Sequence, residues 1–301
     1  MAVAPNPCYF LLQMKILFVT SNRLGDAVLS TGLLDHLIRT YPEAGITVVC
    51  GPAAEGVFER MPNRARTIVL RKQTWGRHWL PLWADVALHV WDLVVDIRGS
   101  ALSWLVPTRR RAVFRRVAGP KIAQLGAILG LSPPPAPVAW TSEVDRCLVA
   151  ELIPSGRPMI VLAPTANWLP KVWPAERFAA VFEGLAKRDT VAVVLGGPGP
   201  AEHAMAEPLL TLLPDAVDLV GRLTLPEVVA CLERASLFVG NDSGLMHLSA
   251  ATGAPTIGLF GPTDAETYGP TGKLVASVVG GSMAAITVEQ VLLEARQLLA
   301  S

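Results

Sequence analysis

The chain has 301 residues, 51% of them apolar and only 17% charged, with a mean hydropathy of +0.41. That composition excludes intrinsic disorder and supplies large cores, at a length suited to two domains of about 150 residues. Net charge is +1 but uneven: residues 60–121 hold 13 Lys/Arg against three acids, net +10, and the remainder is net −9, an asymmetry that points to a polyanionic partner unless the arginines are simply solvated one by one.

Residues 1–13 carry no Lys or Arg, lack the basic start of a signal peptide, and read as a frayed tail. The apolar run 15–20 is a predicted strand; it ends at Ser21-Asn22-Arg23-Leu24-Gly25-Asp26, and an apolar helical pattern follows over 27–41. A second strand, 46–50, ends at Gly51-Pro52 ahead of another helix. Short strands follow at 68–70 and 93–97, the latter leading into Arg98-Gly99-Ser100. The stretch 79–97 is apolar enough to invite a membrane reading, but Pro81, Asp85, His89, Asp92 and Asp96 interrupt it, so it does not span. Trp75, Trp79 and Trp83 stand at i, i+4, i+8 near Arg109-Arg110-Arg111 and Arg115-Arg116. This is either a core stripe or a basic and aromatic face for lipid.

Prolines 133, 134, 135, 137, 154 and 158 mark a linker zone around a helix at 142–152. The pattern then restarts. Strands are expected at 159–163, 191–195, 217–220, 237–239 and 256–260, with helices at 174–188, 201–213, 225–234, 245–252 and 287–299. Alternating strands and helices imply parallel sheets covered on both faces. The chain therefore divides into the tail 1–13 and two α/β domains, 14–153 and 154–301. Cys8, Cys50, Cys147 and Cys231 are dispersed, which excludes a zinc finger or disulfide framework. With no signal and no span, a cytoplasmic protein is expected.

Open α/β sheets bind ligands beyond the carboxyl ends of their strands. The sharpest such segment is Asp242-Ser243-Gly244-Leu245-Met246-His247, a strand-to-helix junction. Amides of Ser243 and Gly244 at a helix start suit an anion, Gly244 would admit a phosphate, and His247 lies one turn in. The plainer alternative makes Asp242 or Ser243 a cap and His247 a core residue. Gly261-Pro262-Thr263 forms a second strand-end turn. Lys171 lies on a loop at the same edge and is placed to neutralise phosphate. Asp26 suits a general base at a domain mouth, or a helix cap. Neither a GxGxxG nor a GxxxxGK[ST] motif is present, so a dehydrogenase is disfavoured. No cluster of metal ligands stands out.

Together, Arg23-Leu24-Gly25-Asp26, Leu162-Ala163-Pro164-Thr165 with Lys171-Val172-Trp173-Pro174, Gly240-Asn241-Asp242-Ser243-Gly244-Leu245-Met246-His247 and Leu259-Phe260-Gly261-Pro262-Thr263-Asp264 resemble the ADP-heptose:lipopolysaccharide heptosyltransferases of glycosyltransferase family 9. The resemblance covers residues 15–273. It implies a GT-B fold, two Rossmann-like βαβ domains whose parallel sheets face a central cleft, with the last helix packing back on the first domain. It implies an inverting transfer of a heptose-type sugar from an ADP-sugar to a lipopolysaccharide inner-core acceptor. Asp26 would be the catalytic base. Thr165, Lys171, Asp242, Ser243, Gly244 and His247 would hold the donor, helped by the turn Gly261-Pro262-Thr263. Arg23, Arg98, Arg109, Arg110 and Arg111 are candidates for a phosphorylated, lipid-linked oligosaccharide acceptor. No tightly bound cofactor is implied; a divalent cation such as Mg would only assist. Nucleic acid is not an expected partner, and peripheral contact with an anionic membrane, on its inner face, is. The alternatives are a related transferase using another nucleotide sugar for a different surface glycan, and a catalytically silent nucleotide- or glycan-binding module.

Overall fold

The computed structural model describes residues 13–153 and 156–300; the expected tail lies outside them except for its last residue. The first unit contains β1 (Lys15–Val19), α1 (Leu24–Thr40), β2 (Gly45–Cys50), β3 (Arg64–Val69), α2 (Trp79–Ala87), β4 (Trp91–Asp96), α3 (Leu102–Leu105), β5 (Thr108–Val113), α4 (Lys121–Gly126) and α5 (Glu143–Leu152). Its strands are parallel in the order β3-β2-β1-β4-β5. The second unit contains β6 (Met159–Ala163), α6 (Ala175–Leu185), β7 (Val191–Val194), α7 (Pro200–Leu212), β8 (Val217–Asp218), α8 (Leu225–Leu232), β9 (Leu237–Asn241), α9 (Gly244–Thr252), β10 (Thr256–Phe260), α10 (Ala265–Tyr268), β11 (Val275–Val279) and α11 (Val288–Ala300). These strands too are parallel, in the order β11-β10-β9-β6-β7-β8.

Each central strand is apolar throughout because both of its faces are covered. Along β1, Ile16 and Phe18 enter the core under α1, while Leu17 and Val19 enter a separate core under α2. Along β6, Val161 and Ala163 face inward to the same core as α1, and Ile160 and Leu162 face α6, α7 and α11. The inner core is thus shared by both units, with α1 and α9 packed together at its centre.

Chain order reverses between β1 and β4 in one sheet and between β6 and β9 in the other. Those are the switch points at which doubly wound sheets open a crevice. The segments Ser21–Asp26 and Arg98–Ser100 emerge at the first, Thr165 and Asp242 at the second.

Several expectations are corrected. The first helix starts at Leu24, three residues before residue 27. The segment after Gly51-Pro52 is a 3-10 turn over Pro52–Phe58. Strands β5 and β11 were not expected; both are edge strands, and β5 carries three exposed arginines in place of an apolar run. The last helix packs on α6, β10 and β11, with Val291 and Ala295 buried there, and so belongs to the second unit. No helix among the described residues is long and apolar enough to cross a membrane.

The strap between the units is α5. Ser142 caps it, and Asp145 returns the bond in a capping box. Asp145 also takes two 2.9 Å bonds from Arg60 of the first unit. Its neighbour Arg146 reaches Glu233, just beyond α8, at 2.8 Å. The Arg60 guanidinium holds the Asp145 carboxyl well below the usual carboxylate range. This contribution is complete above the ordinary carboxylate pKa and is lost as pH falls through the depressed one. Replacing Asp145 with Ala removes a cap and a charged hydrogen-bond pair, so the expected loss is about 2 kcal/mol in urea unfolding at neutral pH; an unchanged midpoint would show that α5 is not a strap.

Candidate active site

A cleft of about 1010 Å³ opens between the carboxyl ends of the two sheets, walled by Arg23, Gly25 and Asp26 from the first unit and by Thr165, Lys171, Asp242 and His247 from the second. Its geometry begins with two helix starts. Helices α1 and α9 approach so closely that a Cβ on Gly244 would lie 2.6 Å from the Leu24 side chain. A Cβ on Gly25 would lie 2.9 Å from the His247 ring and 3.9 Å from the Gly244 Cα. The two glycines face one another. Gly244 lines the cleft as expected of a donor-site residue, but the space its missing side chain leaves is taken by Leu24.

Asp26 is the third residue of α1, half-buried, with Ser21 Oγ donating to its Oδ2 at 3.3 Å. The residue at the cap position is Arg23, which makes no side-chain cap. Asp26 is therefore no cap; its carboxylate sits in the first turn, where the helix dipole favours negative charge.

Opposite it, Lys171 Nζ donates to Asp242 Oδ2 at 2.6 Å. The loop carrying Lys171 is pinned to β9 by Asn241, a fully buried residue. Asn241 Oδ1 accepts from the Trp173 amide at 3.1 Å, and Nδ2 donates to the Pro164 carbonyl at 2.8 Å. Trp173 in turn donates to the Ile286 carbonyl at 3.1 Å. Asn241 was not singled out in the sequence. Its signal is its place as the last residue of an otherwise apolar strand, where a buried amide has to find partners.

His247 is 5% exposed and touches the first unit at Gly25. Burial pushes its pKa down to about 4, against the pull of the Asp242 and Asp26 carboxylates. The ring is neutral at physiological pH. Among the described residues its Nδ1 has no partner, and neither has Ser243 Oγ nor Thr263 Oγ1. All three residues line the cleft. Ser243 stands at the cap position of α9 yet caps nothing, so the amides at this helix start are not met by a side chain. Buried polar atoms normally have partners. Three orphans on one wall, beside a lysine and a helix start, describe a surface shaped to receive a polar anion.

The remaining candidates divide. Thr165 is buried just past the end of β6 and lines the cleft, as does Thr263; Gly261 and Pro262 do not, and Gly261 packs on Met283. Arg98 stands beside the cleft, donating to Asn22 Oδ1 at 3.3 Å. Arg109, Arg110 and Arg111 do not line it. They sit on edge strand β5 and are engaged locally: Arg109 with Asp92, Arg110 with Tyr41, and Arg111 with the Ser103 carbonyl. They lie within β5, ahead of the carboxyl end at Val113 that faces the cleft side of the sheet. In their place the first unit contributes Glu55, Glu59 and Arg64. Their signal was local as well: Glu55 lies in and Glu59 just after the turn that follows the second strand end, and Arg64 opens β3.

A family model described as glycosyltransferase family 9 (heptosyltransferase) matches residues 106–294. The chain belongs to that family. Lipopolysaccharide heptosyltransferase 3 of Escherichia coli is 35% identical over 133 residues, covering 42% of this chain and 37% of that protein. Lipooligosaccharide heptosyltransferase 2 of Haemophilus influenzae is 25% identical over 304 residues, covering 85% and 86%. The solved ADP-heptose lps heptosyltransferase II of E. coli superposes with a TM-score of 0.78 at 23% identity, covering 95% of this chain and 99% of that one. The fold of this glycosyltransferase is GT-B: two parallel-sheet α/β units facing one cleft.

Two outcomes check the site. Gly244→Ala overpacks the contact with Leu24 and should lower stability by roughly 1–3 kcal/mol. Because the Leu24 Cβ itself would lie 2.7 Å from the new methyl, relief requires Leu24→Gly; the double variant should lose less stability than the two single losses added together, and strict additivity would place the strain elsewhere. Between about pH 6.5 and 4 an unfolded histidine is protonated while His247 in the folded chain is not, so stability falls as pH drops through that window. His247→Gln should remove about one proton from that dependence in urea unfolding at stepped pH; an identical slope would mean that His247 titrates normally.

Proposed function

We propose that this glycosyltransferase moves a heptose-type sugar, with inversion, from an ADP-sugar to a lipid-linked inner-core oligosaccharide of lipopolysaccharide. The observation that carries the reading is the pairing across one cleft: a carboxylate on the first unit looks toward a lysine and an uncapped helix start on the second. The named relatives support the substrate class, because they are heptosyltransferases of lipopolysaccharide or lipooligosaccharide.

In this reading Asp26 Oδ takes the proton from an acceptor hydroxyl. The acceptor oxygen attacks the anomeric carbon from the face opposite the nucleotide. The bond from that carbon to the diphosphate oxygen breaks, and the electron pair leaves with ADP. Growing negative charge on the diphosphate meets the α9 amides and Lys171, whose ammonium has two hydrogens left after its bond to Asp242. Ser243 Oγ and neutral His247 offer further polar contacts without adding charge. Protein groups thus do the work of charge neutralisation, and a divalent cation would only assist. A lipid-anchored acceptor also requires the enzyme to work as a peripheral protein on the inner face of a membrane.

Replacing Asp26 with Asn keeps the shape and removes the base. Turnover with ADP-heptose should fall roughly 10²–10⁴-fold, the range for a general base, while calorimetric affinity for ADP stays within about a factor of two of wild type. Undiminished transfer would dismiss Asp26 as the base.

A further inference from the structure

The first unit carries a second surface that the cleft does not use. Trp75 is 98% exposed and sits in the left-handed region at φ 57, a conformation that a bulky residue adopts at a cost. It stands outside α2, so the three tryptophans do not form one helical stripe, and the core alternative fails for Trp75. Leu80 and Trp83 on α2, Leu88 and Val90 beyond it, and Trp104 and Leu105 on α3 are also exposed. Helices α2 and α3 form one surface, since they pack together and Trp83 Nε1 donates to the Leu105 carbonyl at 2.9 Å; Trp75 immediately precedes α2, and Leu88 and Val90 follow it. An exposed apolar patch of this extent marks an interaction site.

Its charge says what the partner is. All three acids of this segment are engaged: Asp85 with Arg66, Asp92 with Arg109, and buried Asp96 with the backbone of Arg98 and with Ser100. Arg71, Lys72 and Arg77 bracket Trp75, and Arg115 and Arg116 follow β5. All five are exposed, and their side chains have no ion pair or hydrogen bond among the described residues. Two further cations lie over rings of the patch: Arg98 is 5.3 Å from the Trp79 ring centre and Arg111 is 5.2 Å from that of Trp104. Indoles with apolar neighbours and unpaired Lys/Arg suit the interface of an anionic bilayer, where rings settle among headgroups and cations meet phosphates. A second copy of the chain fits poorly, because a two-fold contact would set these cations against themselves.

We propose that the α2–α3 surface docks this enzyme on an anionic phospholipid bilayer, with Trp75 and Trp104 as its interfacial anchors. Arg98 links the two faces of the first unit. Stacked on Trp79, it donates to Asn22 on the cleft wall, so docking holds the cleft mouth beside the membrane. The assignment rests on the reaction proposed above only for the acceptor's lipid anchor.

The test is flotation of the purified full chain with vesicles of phosphatidylcholine alone or mixed equally with phosphatidylglycerol. The chain should float with the mixed vesicles only and be released at molar salt. The double variant Trp75→Ser with Trp104→Ser, and separately the triple variant Arg71→Glu, Lys72→Glu and Arg77→Glu, should cut the bound fraction roughly tenfold. Both should keep the wild-type melting temperature and ADP affinity. Wild-type chain that stays in solution overturns the proposal, and so does flotation unchanged in both variants. Self-association abolished by the tryptophan variant would make the patch a protein interface and would also overturn it. Vesicle binding without sugar transfer would count against the reaction alone, and transfer to a delipidated acceptor without vesicle binding against the docking alone.

Discussion

The structure depends on the approach of two helix starts. Helices α1 and α9 follow strands of different sheets and meet where Gly25 lies beside Gly244 and His247, with Leu24 packed so tightly on Gly244 that a methyl there overpacks the contact. Two helix N-termini that meet bring two partial positive charges together. Asp26 in the first turn of α1 and Asp242 just before α9 offset them. The neutral ring of His247 fills the gap without adding charge. Asp26 reaches the cleft because α1 must press on α9, and α1 presses on α9 because the core beneath them is continuous across both units. Packing and chemistry share the same few residues.

Much of this was legible in the chain. Strands buried on both faces announce themselves as unbroken apolar runs, and β6 and β10 fall at 159–163 and 256–260 as expected. The residues that gather at the cleft were readable too, because parallel sheets put ligand groups at strand ends. What stayed hidden was whatever depends on a distant partner. Gly244 read as space for a ligand, since nothing local says that Leu24 occupies it. Asn241 lay beyond the expected strand 237–239, and its bonds run to Pro164 and Trp173, some seventy residues away. Arg109, Arg110 and Arg111 read as acceptor ligands on charge alone; an edge strand and nearby Asp92, Tyr41 and Ser103 hold them elsewhere.

The two faces of the first unit divide its work. One meets α9 and shapes the cleft. The other, under α2 and α3, leaves tryptophans and unpaired cations in solvent. A chain with a mean hydropathy of +0.41 could have buried those rings. That it does not, and that the same segment holds the chain's positive excess while the remainder is net negative, ties the uneven composition to this surface more than to the cleft. The Arg98 side chain, stacked on one face and bonded to the wall of the other, connects them.

The account turns on where a nucleotide sugar sits. The most direct measurement is a crystal structure of the chain with an ADP-sugar analogue whose glycosidic bond cannot break. The account predicts diphosphate density at the start of α9 within hydrogen-bond distance of Lys171, with the anomeric carbon turned toward the Asp26 carboxylate. A nucleotide bound on the first unit, or an anomeric carbon facing away from residue 26, would contradict it.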